Sequence, residues 1–335
     1  MPEQGFEIDY LPVGDGKKSG DAIIVKFGNL HTGRREDFRV FVIDGGTLEA
    51  GQSIVDHLWQ YTSSNFINLV IATHPDNDHV SGIETVLLNC NVGALAMHMP
   101  WAIDQTFKTV KSLERAQEIH DVAVKRGVQL YDPLVTTSYF GGALTILGPS
   151  IPYYSSLLGE FDKPKKMLGP GEIATKKIIQ ETPDIATETL DQAHKYTSAT
   201  NNSSVIAYFS FGGKNALFTG DAGVEALTNA AVTGSEQGID LRNLDFFHVP
   251  HHGSQHNLTT QLIDFFNPSH AFASASSLAQ KHPHPRVTNA FLRRNIKIYS
   301  TSGKGLRHHH NAPARPNWSS AIQVPFVAQF EVKNA

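Results

Sequence analysis

Residues 67–82 read INLVIATHPDNDHVSG, an apolar run followed at once by side chains that can bind metal ions. The four candidate ligands are His74, Asp76, Asp78 and His79. The apolar run predicts a buried strand, and charges buried at its end are costly unless they have partners. A divalent cation is the simplest partner for such a cluster. The alternative is a polar loop that caps a helix starting near Ser81, because Asp and Ser are ordinary capping residues.

The composition limits the classes of protein to consider. The chain has 335 residues and one cysteine, Cys90, which excludes an intramolecular disulfide framework. We predict a single domain over residues 1–335. The N-terminal residues lack the pattern of a secretory signal, and no apolar run approaches the ~18 residues that a membrane span requires. We therefore expect a cytoplasmic protein that does not enter a membrane.

The charge is distributed unevenly along the chain. The net charge is −4, but residues 265–330 contain no Asp or Glu and eight Lys or Arg, so this basic C-terminal portion carries +8 and the remainder −12. Such a region would attract phosphate-bearing ligands if folding gathered the cations on one face. A solvated basic surface is an equally good interpretation of composition alone.

Short apolar runs alternate with amphipathic segments along most of the chain. Strands are predicted at 6–13, 21–27, 38–43, 67–73, 92–97, 143–147, 204–211, 216–219, 246–250, 270–275, 296–300 and 322–331, and helices at 53–61, 82–88, 103–125, from 223, at 259–266 and at 287–294. Residues 150–200 lose this periodicity, and we interpret them as an insertion. The order of elements predicts an α/β (α+β) fold, an αββα sandwich of two mixed sheets flanked by helices.

Three further apolar runs end in candidate ligands beside glycine. Asp44 ends the first, Asp221 ends the second, and His251 and His252 follow the third. Strand ends can meet at one edge of a fold although they are distant in sequence. A single strand end of this kind is weak evidence. Four together predict a metal site.

At these residues the chain resembles the metallo-β-lactamase fold hydrolases, and more narrowly the hydrolase domain of the ComEC-type DNA-uptake proteins. The similar segments, in chain order, are Gly20–Ile23, Asp44–Gly46, His74–His79, Ile146–Pro149, Asn201–Val205, Thr219–Asp221, Pro250–Ser254 and His282–Pro285. The wider family has a histidine where this chain has Asp76, and the ComEC-type branch shares the replacement. The resemblance implies a metal-dependent hydrolase.

The resemblance also implies a centre of two divalent metal ions. His74 and Asp76 would bind one ion, Asp78, His79 and His251 the other, and Asp221 would bridge both. Asp44 would support the ligands from behind. The choice between His251 and His252 stays open. One family histidine has no counterpart, so the amide oxygen of Asn202 or water would take its place, and the carboxylates make Mn²⁺ as suitable as Zn²⁺.

The implied chemistry is attack on phosphorus by water that the metal ions activate. Asp76 or His252 would protonate the leaving oxygen, and Asp78 would belong to the same catalytic group. Substrate contacts are expected from Ser254, His282, His284 and Arg307. For residues 282–285 a proline-stiffened surface loop is the alternative, and for His308–His310, which follow Arg307, we expect a surface loop.

Three functions remain open at this stage. The leading prediction is a phosphodiesterase or nuclease that acts on nucleic acid. The second is a hydrolase of a small molecule, such as a cyclic nucleotide, a phosphocholine ester or a lactone. The third is a binding module whose site has decayed, although the presence of Asp78, His79 and Asp221 argues against it.

Overall fold

The computed structural model describes residues 4–13, 18–163, 188–279, 281–316 and 318–328. The first sheet contains β1 (Gly5–Tyr10), β2 (Ile23–Gly28), β3 (Phe38–Ile43), β5 (Leu69–Ile71), β7 (Ala94–Ala96), β8 (Gln129–Tyr131) and β16 (Leu306–His310), in the order β16-β1-β2-β3-β5-β7-β8. The second contains β9 (Ser138–Tyr139), β10 (Leu144–Gly148), β11 (Ile206–Phe211), β12 (Lys214–Phe218), β13 (Phe246–His248), β14 (His270–Ala273) and β15 (Lys297–Ser300), in the order β15-β14-β13-β12-β11-β10-β9. β4 (Phe66–Ile67) and β6 (Asn91–Val92) form a short parallel pair.

The helices are α1 (Leu48–Thr62), α2 (Asn77–Asn89), α3 (Pro100–Ile103), α4 (Glu114–Lys125), α5 (Ile151–Leu158), α6 (Ala199–Asn202), α7 (Val224–Glu236), α8 (Thr260–Phe266) and α9 (Pro285–Arg293). Among the described residues, none of these helices combines the length and the apolar character needed to cross a bilayer.

Three apolar cores separate the layers of the fold. One core fills the space between the sheets and includes Phe6, Phe41, Phe209 and Phe246. A second packs the first sheet against α1, α2 and α4, and a third packs the other sheet against α7, α8 and α9. Helix, sheet, sheet and helix therefore follow one another, and the predicted αββα sandwich is confirmed.

Parallel strands bring the candidate ligands to one edge of the sandwich. β3, β5 and β7 run parallel in the first sheet, and β12, β13, β14 and β15 run parallel in the second. The carboxyl ends of parallel strands in one sheet lie at the same edge. The loops that follow β3, β5, β12 and β13 carry the four groups of candidate ligands.

Two glycines allow α2 to approach the loop after β3. A Cβ atom at Gly45 would overlap the backbone nitrogen of Ile83, and one at Gly82 would overlap the carbonyl oxygen of Gly45. The Gly45 N–H donates a hydrogen bond to the carbonyl of His79 at 2.6 Å. This close packing fixes the first turn of α2, and with it His79, against Asp44.

Several predicted elements differ from the structure. The helix predicted at 103–125 is interrupted after α3 by two 3₁₀ turns, and α4 begins at Glu114. The Asp104 carboxylate accepts a hydrogen bond from the Thr106 N–H at 2.9 Å, a local turn that competes with a continuous helix. α5 lies in the predicted insertion, of which residues 164–187 lie outside the described residues.

The last strand also lies elsewhere than predicted. Residues 322–328 form no strand, and residues 329–331 lie outside the described part of the chain. The last strand among the described residues is β16, which pairs with β1 and includes His308–His310, where we expected a surface loop. The His308 ring packs 4.9 Å from the Phe246 ring. Three consecutive histidines carry no hydrophobic alternation, so the pattern could not reveal this strand.

The basic C-terminal portion is partly neutralised by distant acids. Arg307 and Arg315 form ion pairs with Glu7, and Arg315 also binds Asp9 at 2.6 Å. Arg294 binds Asp264 at 2.5 Å and Glu188 at 2.7 Å. The buried guanidinium of Arg307 is already paired with a carboxylate, which does not favour the predicted role of Arg307 in binding an anionic substrate.

We expect Arg315→Ala to destabilise the protein strongly. Glu7 and Asp9 lie on the face of β1 away from the core between the sheets, and both are buried. Loss of Arg315 would therefore leave part of their negative charge uncompensated. Such losses cost about 3 to 5 kcal/mol, and we expect about 3 because Lys26, His57 and Arg307 stay in place. Urea unfolding measures the change. The exposed control Lys304→Ala should change stability by less than about 0.5 kcal/mol, and an Arg315 variant within that range would contradict the interpretation.

Candidate metal centre

Each candidate ligand is positioned by the strand that precedes it. His74 follows β5, and Asp76, Asp78 and His79 lie at the start of α2, where Asp76 is the N-cap residue. Asp221 follows β12. Beyond β13, the backbone takes two successive left-handed conformations at His251 and His252, with φ of 48° and 57°. Such conformations are uncommon for residues other than glycine and often occur at functional sites.

Asp221 lies at the centre of four imidazoles. Its Oδ1 is 3.2 Å from His79 Nε2 and 3.9 Å from His252 Nε2. Its Oδ2 is 3.8 Å from His74 Nε2 and 3.6 Å from His251 Nε2. The two oxygens of one carboxylate therefore face two different pairs of histidines.

Two aspartates extend these pairs into two clusters. Asp76 Oδ2 lies 3.8 Å from His74 Nε2, and Asp78 Oδ2 lies 3.8 Å from His252 Nε2. We call His74, Asp76 and His251 with Asp221 Oδ2 the first cluster, and Asp78, His79 and His252 with Asp221 Oδ1 the second cluster. Ligands held on one ion at bonds of ~2 Å lie roughly 3 to 4 Å apart. The pair separations given above have this size, and in the second cluster the ligand atoms of His79, His252 and Asp221, together with Asp21, all lie within 4.8 Å of one another.

Outer hydrogen-bonding groups orient three of the four imidazoles, and a carboxylate lies near the fourth. The Nδ1 atom of His74 lies 3.0 Å from Thr73 Oγ1, and that of His79 lies 2.7 Å from Asp44 Oδ2. The Nδ1 atom of His251 lies 3.1 Å from Asn257 Oδ1, and that of His252 lies 3.6 Å from Asp21 Oδ1. Because each Nδ1 atom faces one of these outer groups, each Nε2 atom is directed at Asp221. Metal-binding histidines are held in this way, with one ring nitrogen on a supporting group and the other on the ion.

Several inward-facing atoms lack partners. His74 Nε2, His79 Nε2, His252 Nε2 and Asp221 Oδ1 are buried, and none of them has a hydrogen-bond partner among the described residues. Buried polar atoms in proteins nearly always have a partner. Nitrogen and carboxylate donors that converge without one fit divalent cations, so the residues present can hold metal ions.

The charges around the site keep the carboxylates ionised. Burial alone would raise the pKa of Asp221, but the charges of His251, His79 and His252 hold it well below its usual value. Burial likewise opposes ionisation of Asp78, and the neighbouring imidazoles of His252 and His79 lower its pKa to about 2. Both aspartates are therefore anions at neutral pH, the state in which a carboxylate binds a cation.

Asp21 is a supporting residue for which sequence reasoning assigned no role. It is fully buried, and its carboxylate lies 3.2 Å from His248 Nε2, 3.6 Å from His252 Nδ1 and 3.7 Å from His79 Nδ1. Burial alone would raise the pKa of Asp21, but the neighbouring imidazoles of His248, His252 and His79 hold it well below its usual value. Asp21 precedes its strand instead of following it. The available signals were an acid next to the apolar run of β2 and the place of Asp21 in the Gly20–Ile23 segment that resembles the family.

Two predicted ligand assignments change when the geometry is known. His251 was grouped with Asp78 and His79, but His252 is the histidine that approaches Asp78, and His251 faces the other oxygen of Asp221. The Oδ1 atom of Asn202, which we expected to complete a ligand shell, accepts a hydrogen bond from the Gly223 N–H at 3.1 Å.

Its neighbour Asn201 faces the centre instead. Asn201 Nδ2 is 3.4 Å from Asp221 Oδ2 and 3.3 Å from His251 Nδ1. The α6 turn that contains both asparagines determines which of them points to the ligands. This asparagine therefore borders the first cluster, where the family pattern led us to expect a histidine.

The predicted substrate-binding residues divide into two groups. The His282 ring lies 5.5 Å from the His251 ring and so borders the centre. His284 is the N-cap of α9, and its Nδ1 accepts a hydrogen bond from the Arg286 N–H at 3.2 Å. Ser254 is buried, and its Oγ accepts a hydrogen bond from the His256 N–H at 3.3 Å. The last two residues therefore shape their loops.

A pocket beside His74 contains a histidine that sequence reasoning missed. His98 lines this pocket together with Tyr154, Met97 and Ser203. Its Nδ1 lies 2.7 Å from Asp132 Oδ1, and its ring stacks on Tyr154 at 4.2 Å. The Nε2 atom of His98 is buried without a hydrogen-bond partner among the described residues. A lone histidine after β7 gave no sequence signal beyond its position at a strand end.

An αββα sandwich with clustered histidines and aspartates at its strand ends defines a class of metal-binding fold. Residues 36–276 match the metallo-beta-lactamase superfamily, and the chain belongs to that superfamily. No curated protein sequence matches the chain significantly.

Several solved structures are similar to the chain at low sequence identity. The metallo-beta-lactamase fold protein YhfI from Bacillus subtilis is 10% identical with a TM-score of 0.45, over 91% of this chain and 100% of that one. A diphosphatase from the PhnP family is 11% identical with a TM-score of 0.45, over 92% and 97%. A long form RNase Z from yeast is 11% identical with a TM-score of 0.37, over 88% and 44%. Similarities of this size carry no information about the substrate of this chain.

Proposed function

We propose that the chain is a metal-dependent phosphodiesterase that acts on nucleic acid. The observation that carries this proposal is the pair of Asp221 oxygens, each directed at its own set of histidines. Two ions held close together suit in-line displacement at phosphorus, because they stabilise both the attacking and the leaving oxygen. The replacement of the family histidine by Asp76 further supports a relationship to the ComEC-type branch.

In this proposal the two clusters hold two ions. His74, Asp76 and His251 would bind one, Asp78, His79 and His252 the other, and Asp221 would bridge them. The bound ions would supply Lewis acidity and an activated water. Imidazoles with carboxylates suit both Zn²⁺ and Mn²⁺.

The remaining residues of the site hold these ligands in place. Asp44 accepts a hydrogen bond from Thr73 N–H at 2.8 Å as well as facing His79, so it joins the strand ends of β3 and β5. Asp21 restrains His252 from outside the second cluster. Because Nε2 of His252 would bind the ion and its Nδ1 faces the Asp21 carboxylate at 3.6 Å, His252 is poorly placed to protonate a leaving group.

His98 takes that role in the proposal. Asp132 holds Nδ1, so the protonated imidazole would present an Nε2–H donor in the pocket beside His74. As the bond between phosphorus and the leaving oxygen breaks, that oxygen would take the proton from Nε2. Asp132 would stabilise the imidazolium before the transfer, as carboxylates do in other His–Asp pairs.

A small-molecule hydrolase is the second candidate. The pocket that contains His98 is lined largely by apolar side chains, including Ala72, Val80, Leu113 and Ala116. The described lining contains no Lys or Arg to attract a charged polymer, which favours a small substrate. A decayed binding module is the least favoured candidate, because imidazole donors still face both oxygens of Asp221.

A substrate panel tests the proposed function. Metal-stripped protein would receive Mn²⁺, Zn²⁺ or Mg²⁺ and be offered single-stranded DNA, duplex DNA, RNA and bis-p-nitrophenyl phosphate, with Asp78→Ala beside it. We expect metal-dependent cutting of at least one nucleic acid and no cutting by the variant. Cutting of the small diester alone would favour the second candidate. No turnover with any metal would overturn the hydrolase proposal.

A further inference from the structure

Three loops bring cationic side chains together next to the metal centre. Gln255 links two of them, because its carbonyl accepts a hydrogen bond from Lys195 Nζ at 2.9 Å and its Oε1 accepts one from Arg286 Nη1 at 3.3 Å. His256 is adjacent in sequence, and its Nδ1 lies 2.7 Å from the carbonyl of His194. We call Lys195, His256 and Arg286 the basic cluster. All three are partly exposed and so accessible to a ligand.

The basic cluster is joined directly to the loop that carries the candidate ligands. Gln255 lies three residues after His252 in sequence. The His284 N–H donates a hydrogen bond to the Gly253 carbonyl at 2.9 Å, which holds the start of α9 against the same loop. The cluster therefore flanks the centre on the side of His251 and His282.

Among the described residues, no carboxylate forms an ion pair with Lys195, His256 or Arg286, so the positive charge of the basic cluster is not balanced. Asp191 is the acid that acts on Lys195, but its carboxylate accepts hydrogen bonds from the Thr260 N–H at 3.0 Å and from the Thr260 hydroxyl. Burial lowers the pKa of Lys195 to about 8, with Asp191 opposing the shift and Arg286 adding to it. Burial and the charges of Arg286, His256 and Lys195 lower the pKa of His284 to about 4. An anion would relieve this crowding of like charges.

We propose that the basic cluster is a subsite for a second phosphate of a polynucleotide, next to the phosphodiester at the metal centre. This inference rests on the proposed function. Arg286 offers a planar group of donors that matches phosphate oxygens, and Lys195 offers a compact positive charge. Such contacts position the backbone of a nucleic acid without reading its sequence. The subsite would give a polymer an advantage over a substrate with a single phosphate.

Binding without turnover tests the subsite. A fluorescein-labelled short single-stranded DNA would be titrated with metal-stripped protein in EDTA, and fluorescence anisotropy would give Kd at several salt concentrations. For Lys195→Ala/Arg286→Ala we expect Kd to rise roughly tenfold or more. The slope of log Kd against log salt should fall by roughly 1.4, since each contact with a single strand contributes about 0.7.

A matched pair of substitutions controls for net charge. Lys297→Ala/Arg39→Ala removes the same two charges from exposed positions at the start of β15 and β3, at the opposite ends of these strands from the centre. It should leave Kd within about twofold of the parent protein, because distant exposed charges are largely screened. If the double variant folds poorly, Arg286→Gln replaces it, since this substitution keeps a polar side chain beside Gln255. It should lose part of the affinity for the labelled DNA.

The outcomes separate this inference from the proposed function. Unchanged Kd and slope in both Arg286 variants, or an equal loss in the control pair, would overturn the subsite. Loss confined to the Lys195 and Arg286 variants supports it, even if the substrate panel shows no turnover. Turnover on nucleic acid with no such loss would keep the proposed function and remove the subsite.

Discussion

Asp221→Ala is expected to abolish turnover and the stabilisation that divalent ions give. Its two oxygens each belong to one cluster, so a single truncation removes a donor from both proposed ion sites. Loss of a group that only supports a ligand costs about 10- to 100-fold, so loss of a bridging ligand should exceed about 100-fold in kcat/KM. The measurements are the hydrolysis rate and the rise in Tm on addition of Mn²⁺ or Zn²⁺.

Asp240→Ala provides the control for this substitution. Asp240 pairs with Arg242 on the surface, where both side chains are mostly exposed. Exposed ion pairs contribute little to stability, so this variant should keep both the rate and the shift in Tm. An Asp221 variant within about tenfold of the parent rate, with the shift in Tm retained, would contradict a bridging role.

We expect His98→Asn to slow hydrolysis strongly when the leaving group needs a proton, and only slightly when it leaves as a stable anion. A dinucleotide releases an alkoxide, and loss of a positioned proton donor should lower kcat about 10²- to 10⁴-fold. A p-nitrophenyl ester releases a stabilised anion, so its rate should fall far less. Asp132→Asn should produce the same pattern, because Asp132 holds Nδ1 of His98 at 2.7 Å.

A second His–Asp pair controls for packing effects. His120 Nδ1 lies 3.1 Å from Asp121 Oδ1 on α4, and His120→Asn removes a ring of the same type from a position that does not line the pocket. This variant should leave both substrates unaffected. Equal losses for the dinucleotide and the nitrophenyl ester in His98→Asn would indicate a structural role for His98 instead of proton transfer.

The parts of the centre that local sequence patterns could predict are those that lie directly after strands. Residues 67–82 combine a buried strand, candidate ligands and the start of a helix, so the position of His74, Asp76, Asp78 and His79 followed from one segment. Asp44 and Asp221 followed from the same logic, because an apolar run that ends in an acid beside glycine is an unusual combination. The layers of the fold followed from the order of these runs.

Pairings between distant residues could not be predicted from these patterns. Asp21 supports His252 from before a strand, and Asn257 supports His251 from a loop without regular structure. Which oxygen of Asp221 each histidine faces depends on left-handed backbone conformations at His251 and His252, which the residue types do not encode. The choice between His251 and His252 for the ion near Asp78 therefore had to await coordinates.

Composition gave the sum of the charges in the C-terminal portion but not their partners. Arg307 lies 300 residues from Glu7 in sequence and yet forms a buried ion pair with it. Arg286 is the cation of this portion that lies beside Gln255 and the ligand-bearing loop. Cations of this basic stretch therefore contribute to buried ion pairs and, through Arg286, to the partly exposed basic cluster, and composition cannot separate the two.

Anomalous diffraction from crystals soaked in Mn²⁺ or Zn²⁺ would test the dinuclear centre most directly. We predict two peaks, one at about 2 Å from Oδ1 of Asp221 and one at about 2 Å from Oδ2. The first should be surrounded by Asp78, His79 and His252, and the second by His74, Asp76 and His251. Absence of any peak beside Asp221, or a single ion bound elsewhere in the molecule, would contradict the account.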